Sequence, residues 1–307
     1  MATSSEVSAA EIRPASLWRL TWRRLLRQRS AQVGGLILLL LVLTAIFAPV
    51  IAPYDPLEVL IGKEDVRKRE APCIHLLGCP PDKPQHIMGI DGNFRDVFSR
   101  VIYGTRVSLF VGFTTVTFAI IAGTLLGAIS GYAGGWVDNV IMRLMDVLMA
   151  FPSLLLAIAI VAVLGRGLQN ALLAIAIVST PVYARVVRAS VLSLKEREFV
   201  QASRALGAGH AHILLRRILP NALPPLIVQA TLGVATAILD AAALSFLGLG
   251  AQPPTPEWGT MLGTERNQVF TAPHLVFFPG LAIMITVLAF NLLGDGLRDA
   301  LDPRLKQ

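Results

Sequence analysis

Six apolar runs, each about the length that crosses a bilayer, dominate this chain of 307 residues. They fall at roughly 33–52, 107–132, 144–164, 169–188, 224–248 and 275–294. Each run is continuous rather than alternating, so the spanning element is a helix and not a barrel strand. The composition agrees, with 54% of residues hydrophobic, 15% charged and a mean hydropathy of +0.63. Soluble domains do not carry that load of apolar side chain. The expectation is an all-α polytopic membrane protein with six transmembrane helices.

The net charge of +7 is compatible with nucleic-acid binding, but the basic residues form no soluble patch interleaved with aromatics. Lysine and arginine gather before residue 33, between 185 and 222, and after 294, whereas the short connections near Arg166 and Arg266 are poor in them. By the positive-inside bias both termini are cytoplasmic. Segment 53–106 has as many acidic as basic residues, and a loop of that length crosses largely regardless of charge. The expected divisions are a cytoplasmic tail 1–32, a first span 33–52, an extracytoplasmic loop 53–106, a five-helix core 107–294 and a cytoplasmic tail 295–307. Within the first tail, residues 16–29 set Trp18, Trp22 and Leu25 on one helical face and Arg19, Arg23 and Arg27 on another, as in a helix lying at a lipid interface. Arg23-Arg24 precedes no small-residue cleavage site, so the first run is read as an uncleaved anchor.

One hydrophilic insert breaks the apolar pattern. Residues 198–220, EFVQASRALGAGHAHILLRRILP, lie in the cytoplasmic stretch 189–222 between two spans. A bilayer gains nothing from such a segment, so it meets something in water. Small residues beside Arg197, Arg204, Arg216 and Arg217 let a partner approach the backbone. Gly207 followed by a second helical piece makes a helix–turn–helix elbow, which Pro220 is expected to end.

Catalytic signatures are missing. Gly62-Lys63 is followed by Glu64, without the rest of a phosphate-binding loop, and neither H-E-x-x-H nor G-x-S-x-G occurs. The chain is therefore not expected to be an enzyme, and if work is done across the membrane its energy comes from a partner or an ion gradient. Asp240 lies deep in the fifth run, where an ionised group is costly unless paired or wetted. It lines a path, facing an ammonium, or bonds to neighbouring helices. Gln229 and Asn291 carry the same two readings, ligand contact or helix–helix glue. Cys73 and Cys79 fall in the outer loop near His75 and His86, open to readings as a disulfide, free thiols or a metal site, although the spacing is not that of a zinc motif. Arg143 and Asp146 suggest an intrahelical pair, as does Arg298 with Asp295 and Asp302. Pro253, Pro254 and Pro256 forbid a straight helix, and Trp258 suits a membrane-interface anchor.

Segment 198–220 resembles the "EAA" loop of the membrane subunits of ABC importers. Gln201-Ala202-Ser203, Gly207 and Leu219-Pro220 fall at the motif positions, with Gln201, Ser203 and Arg217 departing from its usual residues and Glu198 supplying an acid three residues earlier. Asp96–Ser108, Ala237–Asp240, Leu244–Gly248, Ala251–Leu262 and Phe290–Asp302 are similar to the C-type subunits of the bacterial dipeptide and oligopeptide permease group. That group usually shows G-T-D-x-x-G-R-D where this chain reads Gly89-Ile-Asp-Gly-Asn-Phe-Arg-Asp96, and the stretch 72–79 looks like an addition.

The resemblance implies a type I ABC importer permease fold in the bacterial inner membrane. It implies a B-type permease partner, two cytoplasmic ATPases and an extracytoplasmic peptide-binding protein. ATP and Mg would sit on the ATPases, and no cofactor or metal on this chain. It implies ATPase coupling through Glu198, Gln201, Ala202, Ser203, Arg204, Gly207, Leu219 and Pro220, with dipeptides or short peptides as cargo. Relatives in the group carry glutathione, nickel chelates or haem-like compounds, which stand as alternatives. An ion-coupled secondary transporter would need acidic or broken-helix sites in inverted repeats, and a membrane-bound scaffold would transport nothing.

Overall fold

A computed structural model describes residues 25–301. Its helices of eight residues or more are α1 (Arg29–Ile46), α2 (Val97–Ala133), α3 (Gly135–Met149), α4 (Ser153–Leu164), α5 (Leu168–Lys195), α6 (Glu198–Ala205), α7 (His210–Phe246), α8 (Trp258–Glu265) and α9 (His274–Leu301). No β-strand occurs among the described residues, only isolated bridges. Most of the interfacial helix expected over 16–29, and Asp302, lie outside the described residues.

Helices α1, α2, α5, α7 and α9 are long and apolar enough to cross a membrane. The run expected as a span over 144–164 is broken: α3 and α4, together long and apolar enough for a sixth span, meet at a 92° bend. Pro152 lacks an amide donor and is itself extended, with ψ 128°, so the apolar pattern continues while the helix does not. Helix α2 starts at Val97 rather than near 107, because Asp96 caps it, accepting from the Ser99 amide at 2.7 Å. Its polar first turns hide it from a hydropathy reading. Likewise α9 continues to Leu301, past the expected boundary at 294.

The seam between α2 and α5 depends on Gly123, Gly127 and Gly131, one turn apart on α2. A Cβ at Gly123 would stand 2.6 Å from that of Tyr183, and one at Gly127 would collide with the Ala184 carbonyl. Without side chains on this stripe the two backbones approach closely, the usual way apolar helices gain contact in lipid. At one end of the seam Arg188 grips Asp138 through two bonds of 2.6 Å, and Lys195 donates to the Gly131 carbonyl. Asp146 pairs with Arg185 at 2.6 Å, not with Arg143 as expected. The reach across from α5 displaces the same-helix pair. Arg298 makes no bridge to Asp295 among the described residues.

Residues 53–96 form an irregular lobe over the opposite end of the bundle. Its eight acidic and six basic residues are largely spent on one another and on the core. Arg95 meets Asp91 at 2.8 Å, Arg69 reaches Glu265 at 2.9 Å, and Arg100 donates to the Pro56 carbonyl at 2.8 Å. His86 is buried between Asp96 (2.9 Å) and Glu64 (3.2 Å). Burial and the adjacent Glu64 push the Tyr54 hydroxyl up to about 12. Leu60 and Ile90 are fully buried beneath these polar contacts. The lobe therefore has no separate core and is bound to α2 and α8. Trp258 is fully buried, donating from Nε1 to the Val101 carbonyl at 3.0 Å, and is not the interface anchor expected of it. The proline-rich turn before it folds the ring inward, against Gly104.

Candidate coupling elbow and translocation path

Helix α6 is eight residues long and ends in a tight reversal. Gly207 has φ +80°, the left-handed conformation that glycine adopts without steric cost. The Ala208 amide bonds to the Ser203 carbonyl at 3.1 Å and the Gly207 amide to the Arg204 carbonyl at 3.0 Å. This is the paired closure of a Schellman motif, which satisfies the last carbonyls of α6. Helix α7 then starts at His210. Pro220 does not end the elbow. The chain passes from a π-helical stretch, Ile213–Ile218, into the α-helix from Leu219 and continues to Phe246. A wider turn ahead of the proline accommodates a ring that cannot donate to the preceding turn.

The elbow has two unlike faces. Val200, Ile213 and Ile218 are fully buried in the same core cluster as α2 and α5. Tyr132, at the end of α2, bonds to His210 at 2.8 Å. Glu198, Gln201, Ala202, Arg204, Gly207 and Pro220 are exposed, while Ser203 and Leu219 are half-buried. Ser203 bonds back to the Phe199 carbonyl at 2.8 Å, and Gln201 to that of Glu196 at 3.2 Å. Leu206, which sequence reasoning passed over, is 88% exposed at the tip. Its signal was available: a large apolar residue directly before the glycine of a hydrophilic turn. The arrangement is a rigid, two-helix projection whose tip offers small side chains, an apolar knob and cations, and whose base is part of the core.

The three intramembrane polar residues are not brought together as one set. Gln229 and Asp240 both lie on α7, eleven positions apart, which is close to three full turns and puts them on one face. Thr236 shares that face and is exposed. Asp240 is half-buried, and the described residues give its carboxylate no salt-bridge partner. Gln229 lines an open cavity of about 680 Å³ with Asn221, Pro225, Val186 and Arg298. Asn291 is exposed on α9 and does not line that cavity. In the lobe, Cys73 and Cys79 are joined as a disulfide with Cα atoms 5.4 Å apart. No cluster of three metal-ligating side chains occurs among the described residues.

Residues 123–307 match the model of the binding-protein-dependent transport system inner membrane component, covering the elbow and every helix from the end of α2 onward. The chain belongs to that family. Residues 16–72 also match the N-terminal transmembrane domain of oligopeptide transport permease C. A dipeptide transport system permease protein DppC of Alkalihalophilus pseudofirmus is 50% identical over 95% of this chain and 91% of its own length. A glutathione transport system permease protein GsiD of Pectobacterium atrosepticum is 47% identical over 94% of this chain and 92% of its own. A di/tripeptide permease DppC of Pseudomonas aeruginosa is 49% identical over 93% and 91%. The methionine ABC transporter MetNI in an inward-facing form matches with a TM-score of 0.55 at 21% identity, over 66% of this chain and 96% of that one. This last likeness concerns the fold: a type I ABC permease subunit.

As a member of this family the chain is a membrane-spanning permease subunit of a binding-protein-dependent ABC importer, working with further permease and ATPase subunits and a binding protein. Its own part is transport rather than catalysis.

Proposed function

We propose that this subunit imports short peptides, with the elbow 198–220 gripped by one of two cytoplasmic ATPases and a B-type permease completing the path. The observation that carries this reading is the two-faced elbow, exposed at Leu206 and Gly207 yet fused to the core through Val200, Ile213 and Ile218. A push on its tip has no soft joint in which to dissipate. ATP and Mg belong on the partner ATPases, and this chain holds no cofactor. Cross-linking from a photoreactive side chain at position 206 in the intact transporter tests the contact. Adducts with the ATPase that grow during turnover support it, and adducts confined to lipid or to this chain count against it.

Both chain ends are assigned to the cytoplasm and the 53–96 lobe to the outside of the inner membrane, where a disulfide persists. Membrane-impermeant maleimide should leave Cys73 and Cys79 unlabelled in intact spheroplasts and label both after reduction. Labelling of both without reduction would remove the bridge.

The stripe Gln229–Thr236–Asp240 on α7 is assigned to the path, with Asn291 as a flanking contact. An unpaired carboxylate suits a peptide ammonium, an interaction between charged groups worth about 1.5–3 kcal/mol. Asp240→Asn is accordingly expected to lower peptide uptake by about tenfold or more. Unchanged uptake in proteoliposomes would exclude a role for the charge. Dipeptide and glutathione relatives stand at similar identity, so a panel of dipeptides, tripeptides and glutathione, given with the cognate binding protein, decides the cargo. Stimulation by none of them would overturn the peptide reading.

A further inference from the structure

A second cavity, of about 290 Å³, lies among α1, α2, α7 and α9, away from the elbow and from the Gln229–Asp240 stripe. Its floor is made by Val116, Val234 and Phe290, all buried. Val42, Phe113 and Thr117 line it and are also exposed at the protein surface, so they form its mouth. The opening has a structural origin. Helix α1 is tied to α2 at one end, where Arg106 donates to the Ala45 and Ile46 carbonyls. At its other end α1 packs on α9, where a Cβ at Gly34 would stand 2.7 Å from the Ala289 carbonyl. Between these two fastenings α1 stands off α2, and the gap leads to the floor.

The chemistry of the wall selects the occupant. Thr117 and Thr231 are its polar side chains, and both hydroxyls are already bonded within their own helices, to Phe113 at 2.7 Å and Val228 at 2.8 Å. With both hydroxyl protons spent, a water here would lack the two to four polar partners that it needs, and apolar cavities of this kind stay dry. A void of this volume is about twice the ~150 Å³ cavity that admits one benzene ring. Close packing does not leave such space empty without loss of contact energy. The mouth opens onto a continuous apolar surface, with Leu39 on α1 and Phe110, Phe118 and Ile121 on α2 all exposed around it. That surface lies within helices long enough to cross the bilayer, where hydrocarbon is the surrounding solvent.

We propose that this cavity is a lipid site, occupied by one acyl chain of a bilayer phospholipid that enters sideways between α1 and α2. The chain fills a gap that α1 leaves in its contact with the core, and it makes α1 packing responsive to the surrounding lipid.

The test uses the complete transporter in bilayers containing a phospholipid with a diazirine midway along one acyl chain. After illumination, adducts are mapped by mass spectrometry. Adducts are expected on the floor residues Val116 and Phe290 as well as on the belt residues Phe118 and Ile121. Ala230→Phe, which fills the cavity from α7, should reduce floor labelling at least about tenfold while belt labelling persists as the internal control. If Ala230→Phe does not assemble, Val42→Phe at the mouth serves the same purpose. Belt adducts without floor adducts, or floor labelling unchanged by both variants, would overturn the site. So would a photoreactive residue at position 42 that captures the partner permease chain in place of lipid.

Discussion

Replacing Gly207 with glutamate is expected to abolish ATP-driven uptake while the protein still inserts and assembles its helices. A Cβ at this position meets no neighbour within 4 Å, so the defect is not one of packing. Two other costs act. The φ of +80° penalises most residues with a Cβ, Asn least, by about 1–2 kcal/mol. A carboxylate at the exposed tip would also change the charge offered to the proposed ATPase partner. Together these are expected to reach about 3 kcal/mol at the contact, or roughly a hundredfold in coupling. A graded series separates them. Gly207→Asn, which tolerates the left-handed region, stays close to normal, Gly207→Ala loses coupling by up to about tenfold, and Gly207→Glu loses it altogether. The measurement is uptake together with ATP hydrolysis stimulated by the binding protein. Normal stimulation in the glutamate variant would exclude the elbow as the coupling piece.

Gly127→Leu is expected to have the largest effect on folding. The added side chain would point at the Ala184 carbonyl, and backbone cannot swing aside as a flexible side chain does. The helices α2 and α5 would have to separate along the whole stripe from Gly123 to Gly131, losing the contact that holds the centre of the bundle. Overpacking of an ordinary core costs about 1–3 kcal/mol, and a collision with backbone should exceed that. Purified variant protein should aggregate or melt well below the wild type. Gly35→Leu on α1 is the control, because nothing lies within 4 Å of its Cβ position. It should be nearly neutral. Equal melting temperatures for Gly127→Leu and wild type would mean that the close approach is not needed.

Much of this was written along the chain. The apolar runs marked α1, α5, α7 and α9, and the hydrophilic insert marked the elbow, because each signal is local and summed over neighbours. The elements misread were those whose signals are not local. The 144–164 run kept its hydropathy through Pro152, although the backbone there turns by 92°. The first turns of α2 hold Arg100 and Arg106, which read as loop until their carbonyl partners in the 45–56 stretch are in place. Pro220 looked like a terminator and proved to be the point where a π-helical stretch passes into an α-helix. Of the residues proposed for coupling, Gly207 was legible because its conformation is a property of the residue type. Leu206 left only an indirect signal, a large apolar residue directly before that glycine, because exposure depends on what else covers a position.

The sequence by itself determined that this chain crosses a bilayer with helices, since hydrocarbon offers no partner for a bare backbone amide. It also determined where the chain must leave lipid. Tertiary structure alone decided which charges neutralise which, such as Arg69 with Glu265, 196 positions away. It decided too that Trp258 turns inward, that three glycines become a helix seam, and that α1 stands off α2 above an apolar hollow. These outcomes depend on distances between segments remote in the chain, which packing sets only when all the helices are in place.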